Sequence, residues 1–339
     1  METSLYNFAG QHVANSAHAV RRRTFIASGA AALGALATGP AFGQALSDKP
    51  ITIVVGFAAG GIADTIARLT AQNLSQYLKQ SVVVENRLGA GGTIAAASVA
   101  RAPKDGHTLF FASNSHTITP ALMKLPFDPI ADFAPVSVIA ESPMVLVVRQ
   151  DSPFKNMREL VEAGKNKGNV TYGAVTGTVM HVVTEMLSSQ VSTEWRPIPY
   201  KGSAPALMDL IGGQTNFVLD FVQSSMPHIT AGKLRALAVL SRERVSQLPQ
   251  VPTMAEALLP GFEASGWYGL LAPAGTPEPV LQRLNAALVT SMKQPEVQEK
   301  IKALGSISVM SSREDFSRRL RVDTRQWAEI IAARGIKAD

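Results

Sequence analysis

A short apolar run, Ile51–Val55 (ITIVV), stops at Ala58-Ala59-Gly60-Gly61 and resumes at helical spacing with Ala67, Ala71, Leu74 and Leu78. A continuous β-branched run of that length suits a strand buried on both faces of a parallel sheet. The spacing that follows suits an amphipathic helix. The pattern then repeats. Ser81–Glu85 reads as a strand, Gly89-Ala90-Gly91-Gly92 as a turn, Thr93–Ala100 as a helix and Thr108–Ala112 as a third strand. A βαβαβ order of this kind implies a parallel sheet with right-handed crossovers.

Val136–Ala140 and Val145–Val148 are predicted as two further strands, and Met157–Ala163 as a helix. A second α/β unit follows. Its strands are Asn169–Gly173, Arg196–Tyr200, Asn216–Asp220 and Leu234–Leu240; its helices are Val179–Ser189, Ala204–Ile211 and Ser224–Ala231. Gly266–Ala272 is one more strand, and Glu278–Met292, Glu296–Ala303 and Arg313–Ala333 read as helices. The tail helices need a sheet to cover, and the first unit has fewer helices than faces. The chain is therefore expected to return to the first unit near residue 270. The fold class is α/β, with two lobes, each a mostly parallel sheet flanked by helices, joined by a two-stranded hinge. Residues 46–150 plus 271–339 form the first lobe and 151–270 the second.

The leading 45 residues read as a cleaved export signal. Arg22-Arg23-Thr24-Phe25-Ile26 is a twin-arginine pattern, Ala27–Ala37 is a weakly apolar stretch, and Ala41-Phe42-Gly43 supplies small residues at cleavage spacing. The apolar run is too short and alanine-rich to span a bilayer well. The expected location is the periplasm. With no cysteine in the chain, disulfides, Cys-ligated zinc and thiolate catalysis are excluded. The formal charge of +6 comes from scattered residues and Arg21–Arg23. No basic stripe points to nucleic acid.

Parallel strands present ligands at their carboxyl ends. Four loops sit there: Phe57–Gly61, Ser113–His116, Thr176–Thr178 and Asp220–Ser224. A helix N-terminus after such a loop offers unpaired N–H groups and a partial positive charge, which a carboxylate or phosphate satisfies. Phe57, Ala58, Ala59, Gly60 and Gly61 form one candidate anion turn; Thr176, Gly177 and Thr178 form its counterpart, with Ser113 and Asn114 between. AAGG also reads as plain strand–helix packing; it is neither a dinucleotide fingerprint nor a phosphate loop. Asp64 either complements its helix N-terminus or competes with a ligand for the same N–H groups. Asp220 either accepts hydrogen bonds from its loop or receives an amino group of the ligand. His181 and His116 read as structural or as ligand contacts, and Trp267-Tyr268 as core or cleft wall. No arginine lies in the four loops, so backbone N–H and hydroxyl groups would recognise the anion. No G-x-S-x-G, H-E-x-x-H or credible S-x-x-K is present, and no His pair stands at i, i+4. No metal or cofactor is expected, and no enzyme; the alternative is an exported enzyme with His181 or Asp220 as general base.

The chain resembles the Bug/TctC-type substrate-binding proteins of tripartite tricarboxylate transporters. The resemblance rests on Ile53–Asp64, Val82–Gly92, Pro103–Leu109, Asp132–Val138, Pro199–Leu210, Pro227–Val239, Leu248–Glu256 and Gly269–Pro277. It implies a type II periplasmic-binding fold, a periplasmic location, and capture of a small carboxylate between the lobes. It also implies membrane permease subunits as partners; a ligand sensor acting on a membrane kinase is the alternative. A monomer is the default for this class. By the resemblance, the first anion turn maps to Phe57–Gly61 with Asp64, and the second to Thr176–Thr178 with His181. The chain departs from the family at Met180, where a polar residue is common, which points to a less polar ligand. It departs again at Gly56, where a proline is common, which is expected to loosen the first turn.

Overall fold

β1 (Ile51–Val55) has four of its five residues buried, as a run of β-branched side chains between covered faces requires. It lies parallel to β2 (Val82–Asn86) on one side and β3 (Thr108–Ser113) on the other. The computed structural model describes residues 48–337 except Lys167; the expected export signal lies outside the described residues. Helix α1 (Ile62–Leu78) buries Ile66, Ala67, Ala71 and Leu74, and α2 (Thr93–Ala100) buries Ala95, Ala96 and Val99. Together they cover the two faces of this parallel trio.

The sheet then changes direction. β9 (Ser265–Pro273) pairs antiparallel to β3, and β4 (Phe133–Arg149) antiparallel to β9. Pro143 pairs with Ser265, and the next residue, Met144, pairs with Phe221 of β7 (Phe217–Phe221) in the second sheet. β4 is thus one strand of 17 residues where the pattern suggests two. Glu141-Ser142-Pro143 reads as a break, but Pro143 stands where the strand changes partners, a position that tolerates a missing N–H. In the second sheet, β5 (Thr171–Val175) runs parallel to β7, and β6 (Arg196–Tyr200) parallel to β5. β8 (Leu234–Val239) pairs antiparallel to β4. The continuous order is β2-β1-β3-β9-β4-β7-β5-β6. Each half holds one parallel trio extended by antiparallel strands. The antiparallel members include β4 and β9, which carry the chain between the halves instead of closing a βαβ crossover.

In the second half, α4 (Met157–Gly164) and α5 (Val179–Gln190) pack with β5 and β7 around Leu160, Tyr172, Val183 and Leu219. On the other face, α6 (Ser203–Ile211) and α7 (Val222–Thr230) bury Leu207, Leu210 and Val222 against Val145 and Val147. Two helices were not evident in the sequence: α3 (Ser115–Leu122), which tolerates Pro120, and the single turn α8 (Met254–Ala257). In the tail, α9 (Glu278–Met292) packs Leu281, Leu284 and Leu288 on the first sheet. α10 (Pro295–Ala303) follows, and β10 (Ile307–Ser308) pairs with β4.

α11 (Arg313–Arg334) serves both halves. Phe316 and Leu320 lie in a core with Val54, Phe110 and Trp267, whereas Trp327 and Ile331 lie with Met186 and Phe217 in the second. The tail was expected to cover the first half alone; 22 residues are long enough to reach past it. Polar contacts fix α11 along its length. Arg319 pairs with Glu141 of β4 and donates to Ser265 of β9 at 3.1 Å. Asp323 accepts the Trp267 indole N–H at 2.9 Å, and Arg334 meets the buried Glu185 of α5 at 2.5 Å.

Candidate functional site

The loops after β1, β3, β5 and β7 and the start of β9 surround a cavity of about 550 Å³. Of the residues expected at a site, Phe57, Ala58, Gly61, Ser113, Asn114, Thr176, Gly177 and Thr178 line it. Ala59, Gly60, Asp64, His181 and Asp220 do not line it.

Asp64 lies beneath the first turn and holds its shape. Its carboxylate accepts from the Gly60 N–H at 2.9 Å, Arg68 Nε at 2.8 Å and Asn86 Nδ2 at 2.8 Å. Asn86 Nδ2 also donates to the Phe57 carbonyl at 3.0 Å. Burial would raise this carboxyl, but those hydrogen bonds and the Arg68 charge outweigh it and hold the pKa at about 2. Gly60 takes a positive φ of +83°, which only glycine adopts at low cost. Gly56 does not loosen the turn. A Cβ there would stand 2.5 Å from the Gly92 Cα, so the glycine lets two backbones touch. That contact brings the turn Ala90–Gly92 alongside, and Gly91 lines the cavity.

The second turn is held in a similar way. The Gly177 N–H donates to His181 Nδ1 at 3.3 Å, and the Thr178 hydroxyl donates to the Val175 carbonyl at 2.6 Å. His181 therefore supports the turn from the first helical turn behind it. Asp220 is fully buried and accepts from Ser203 Oγ at 2.7 Å and Ser225 Oγ at 3.4 Å. Burial pushes its carboxyl up, against the opposing hydrogen bonds and the His228 charge. Side chains alternate along a strand, and it is the next residue, Phe221, that lines the cavity. His116 is buried among Phe110, Phe127 and Phe133, with Nε2 2.8 Å from the Pro129 carbonyl. Burial lowers its pKa to about 4, and a neutral imidazole in an aromatic cluster is structural.

Four helices begin at the cavity: α1 after Gly61, α3 after Asn114, α5 after Thr178 and α7 after Phe221. None of these N-cap residues caps its own helix with a side chain. The Asn114 amide instead accepts the Trp267 N–H at 2.7 Å and donates to the Ser265 carbonyl at 3.3 Å. The starts of α4, α8 and α11, outside the lining, are capped by Asn156, Thr253 and Ser312. No lining residue carries a charge, and the helix starts bring partial positive charge to the cavity. Among the described residues no group of three or more His, Cys, Asp or Glu is placed to hold a metal ion.

Gly91, Ile118 and Thr119 were not assigned to the site from sequence; Phe221 fell within the Asp220–Ser224 loop without being singled out, Met180 was marked only as a departure pointing to a less polar ligand, and the wall formed by Trp267 and Tyr268 was not settled there. GAGG signalled a turn, but its approach to Gly56 is a tertiary contact. For Phe221 the signal was the strand's period-two alternation, one residue beyond the conspicuous aspartate.

A pair of α/β halves with ligand-facing loops opposed across a cavity defines the two-lobed type II periplasmic-binding class. The chain belongs to the receptor family of tripartite tricarboxylate transporters, whose family model matches residues 66–336. It is 38% identical over 300 residues to the UPF0065 protein in the tcbD-tcbE intergenic region of Pseudomonas sp. (strain P51), covering 87% of this chain and 89% of the relative. Among solved structures, the periplasmic binding protein BugD is 36% identical with a TM-score of 0.68, covering 86% of this chain and 100% of its own. Rpa4515 of R. palustris with adipate is 33% identical with a TM-score of 0.71, covering 85% and 98%. MatC of Rhodopseudomonas palustris with bound malate is 33% identical with a TM-score of 0.68, covering 84% and 99%.

Proposed function

We propose that this chain is an exported receptor that captures a small organic carboxylate in the 550 Å³ cavity. The observation that carries the reading is the convergence of four helix starts, none capped by its own N-cap side chain, on a cavity lined by no charged side chain. Their first N–H groups have no partner within the helix and lie at the positive end of its dipole, so an anion satisfies both. Adipate and malate in two relatives support that ligand class.

The helix starts behind Phe57–Gly61 and Thr176–Thr178 supply the opposed N–H groups, since the N–H groups of Gly60, Gly61, Gly177 and Thr178 are already given to Asp64, Ala58, His181 and Val175; Ser113 and Asn114 lie beside them. Asp64 and His181 keep those turns in shape, and Asp220 supports the strand behind Phe221. The lobes, 46–150 plus 271–339 and 151–270, close on the ligand by bending where β4 and β9 cross. The closed form then presents a surface to permease subunits of the tripartite type. The protein acts by binding alone. Asp220 and His181, the residues that could serve as a general base, are both engaged in hydrogen bonds and neither lines the cavity. Export through Arg22-Arg23 would deliver the mature chain to the periplasm. Among the described residues no helix is long and apolar enough to cross a membrane.

The test is isothermal calorimetry with a panel of mono-, di- and tricarboxylates at fixed pH. Saturable heat and a raised melting temperature are expected from at least one. If no carboxylate gives either, the reading is wrong.

A further inference from the structure

The cavity holds more than anion donors. Its lining includes the apolar residues Phe57, Ile62, Ile118, Val179, Met180 and Phe221, and Met180 Sδ lies 3.9 Å from Ser203 Oγ. The polar side chains among them are largely engaged with the protein. The Thr178 hydroxyl proton goes to the Val175 carbonyl at 2.6 Å, and Ser113 Oγ lies 3.0 Å from Ser115 Oγ. Both ends of the Asn114 amide are bonded to β9, and the Trp267 indole N–H is given to Asp323 at 2.9 Å. The Tyr268 hydroxyl is bonded to Ser142.

The helix starts therefore provide for carboxylate oxygens, while the middle of the cavity provides mainly hydrocarbon contact. A hydroxyl on the ligand's backbone would leave water and face aliphatic and aromatic carbon. Thr119, Thr176 and the accepting member of the Ser113–Ser115 pair are the lining hydroxyls left to meet it.

We propose that the cavity selects carboxylates with an unsubstituted hydrocarbon body over their hydroxylated counterparts, with Met180 and Phe221 as the selecting residues. This rests on the carboxylate reading above and narrows it. A buried hydroxyl without a partner weakens binding by on the order of tenfold or more. Added methylenes that fill the apolar wall strengthen it. Of the two ligands seen in relatives, adipate has the favoured character and malate does not.

The experiment is calorimetric titration of the mature protein, unfolded and refolded to remove carried-over ligand, with matched pairs: succinate against malate, and adipate against 3-hydroxyadipate. The plain acid of each pair is expected to bind at least tenfold more tightly, with adipate tighter than succinate. A hydroxy acid binding as tightly as its plain partner overturns the proposal and leaves the carboxylate reading standing. No binding by either member of both pairs, nor by any other carboxylate, removes both. Met180→Gln keeps the side chain's length and adds a donor and an acceptor. It is expected to shift the succinate-to-malate ratio at least fivefold toward malate, with a lowered melting temperature because Met180 is nearly buried in the second core. An unchanged ratio in a folded variant takes Met180 out of the selection. Phe221→Tyr repeats the test at the end of β7.

Discussion

Asp64 shows how a conspicuous charge at a site can act without touching what the site holds. Its carboxylate is buried, and its acceptors are spent on Gly60, Arg68 and Asn86. With a native pKa of about 2 and an unfolded value near 3.8, the unfolded chain binds the proton first as pH falls. The stability it contributes is complete above about pH 4 and is lost toward pH 2. The shift corresponds to at most about 2 kcal/mol, since Arg68 is half exposed and its pairing is screened. Asp64→Asn keeps the size but not the charge. Urea unfolding should find it about 1–2 kcal/mol less stable at pH 6, with the gap closing near pH 2.5. A gap that does not change with pH would mean the charge is not what holds the turn. Gly61 stands differently. Its φ of −72° suits any residue, and a Cβ would lie 3.4 Å from the Ala58 carbonyl, an ordinary contact. Gly61→Asp would place a carboxylate on the N–H groups of α1 that we assign to the ligand. Carboxylate affinity should fall more than tenfold while the melting temperature holds or rises, because the new side chain caps the helix. Calorimetry beside a thermal melt checks both, and undiminished affinity would remove the first turn from the site.

At the scale of elements, α11 joins what the sheets leave apart. Trp327 is 5% exposed and packs in the second core, although its helix begins on the first. Trp327→Ala should cost about 3–5 kcal/mol in thermal or urea unfolding. A loss below about 1 kcal/mol would mean that the end of the helix only rests on the second half. The same helix shows where the sequence stops being legible. Ile51–Val55 and Glu278–Met292 were placed to the residue, because burial on both faces or on one stripe leaves a periodic trace; Arg196–Tyr200 was placed as well, although it is an edge strand with no fully buried residue. Helix α11 was read as a helix, but which core each of its turns serves is a matter of tertiary packing with no period of its own. The same holds for β4, whose Pro143 looks like a stop until its change of partner is seen. At the cavity, the turns after β1, β3 and β5 were legible from their small and hydroxyl residues. Phe221 was not, because an apolar side chain facing a cavity reads like one facing a core, and Met180 stood out only through the resemblance.

For the molecule as a whole, the connections decide whether two halves can unfold separately. The described residues, from Asp48 onward, form one compact unit. β4 contributes Val136 and Ile139 to the core of the first half, and Leu146 and Val148 to that of the second. α11 does likewise with Phe316 and Trp327, and its Arg319 and Asp323 lie on the crossing strands themselves. Unfolding either half would expose apolar surface on both shared elements, so the two halves should melt as one. The tryptophans report separately, since Trp267 lies in the first half and Trp195 and Trp327 in the second. In a variant carrying Trp195→Phe and Trp327→Phe, the remaining fluorescence follows the first half alone, and far-UV circular dichroism follows the whole. Their midpoints should coincide. A carboxylate held between the halves at 100 times its Kd should then raise both midpoints together, since it adds about 2.7 kcal/mol to the single folded state. Two midpoints, with ligand moving only one of them, would show that the halves fold independently and that the ligand belongs to one of them alone.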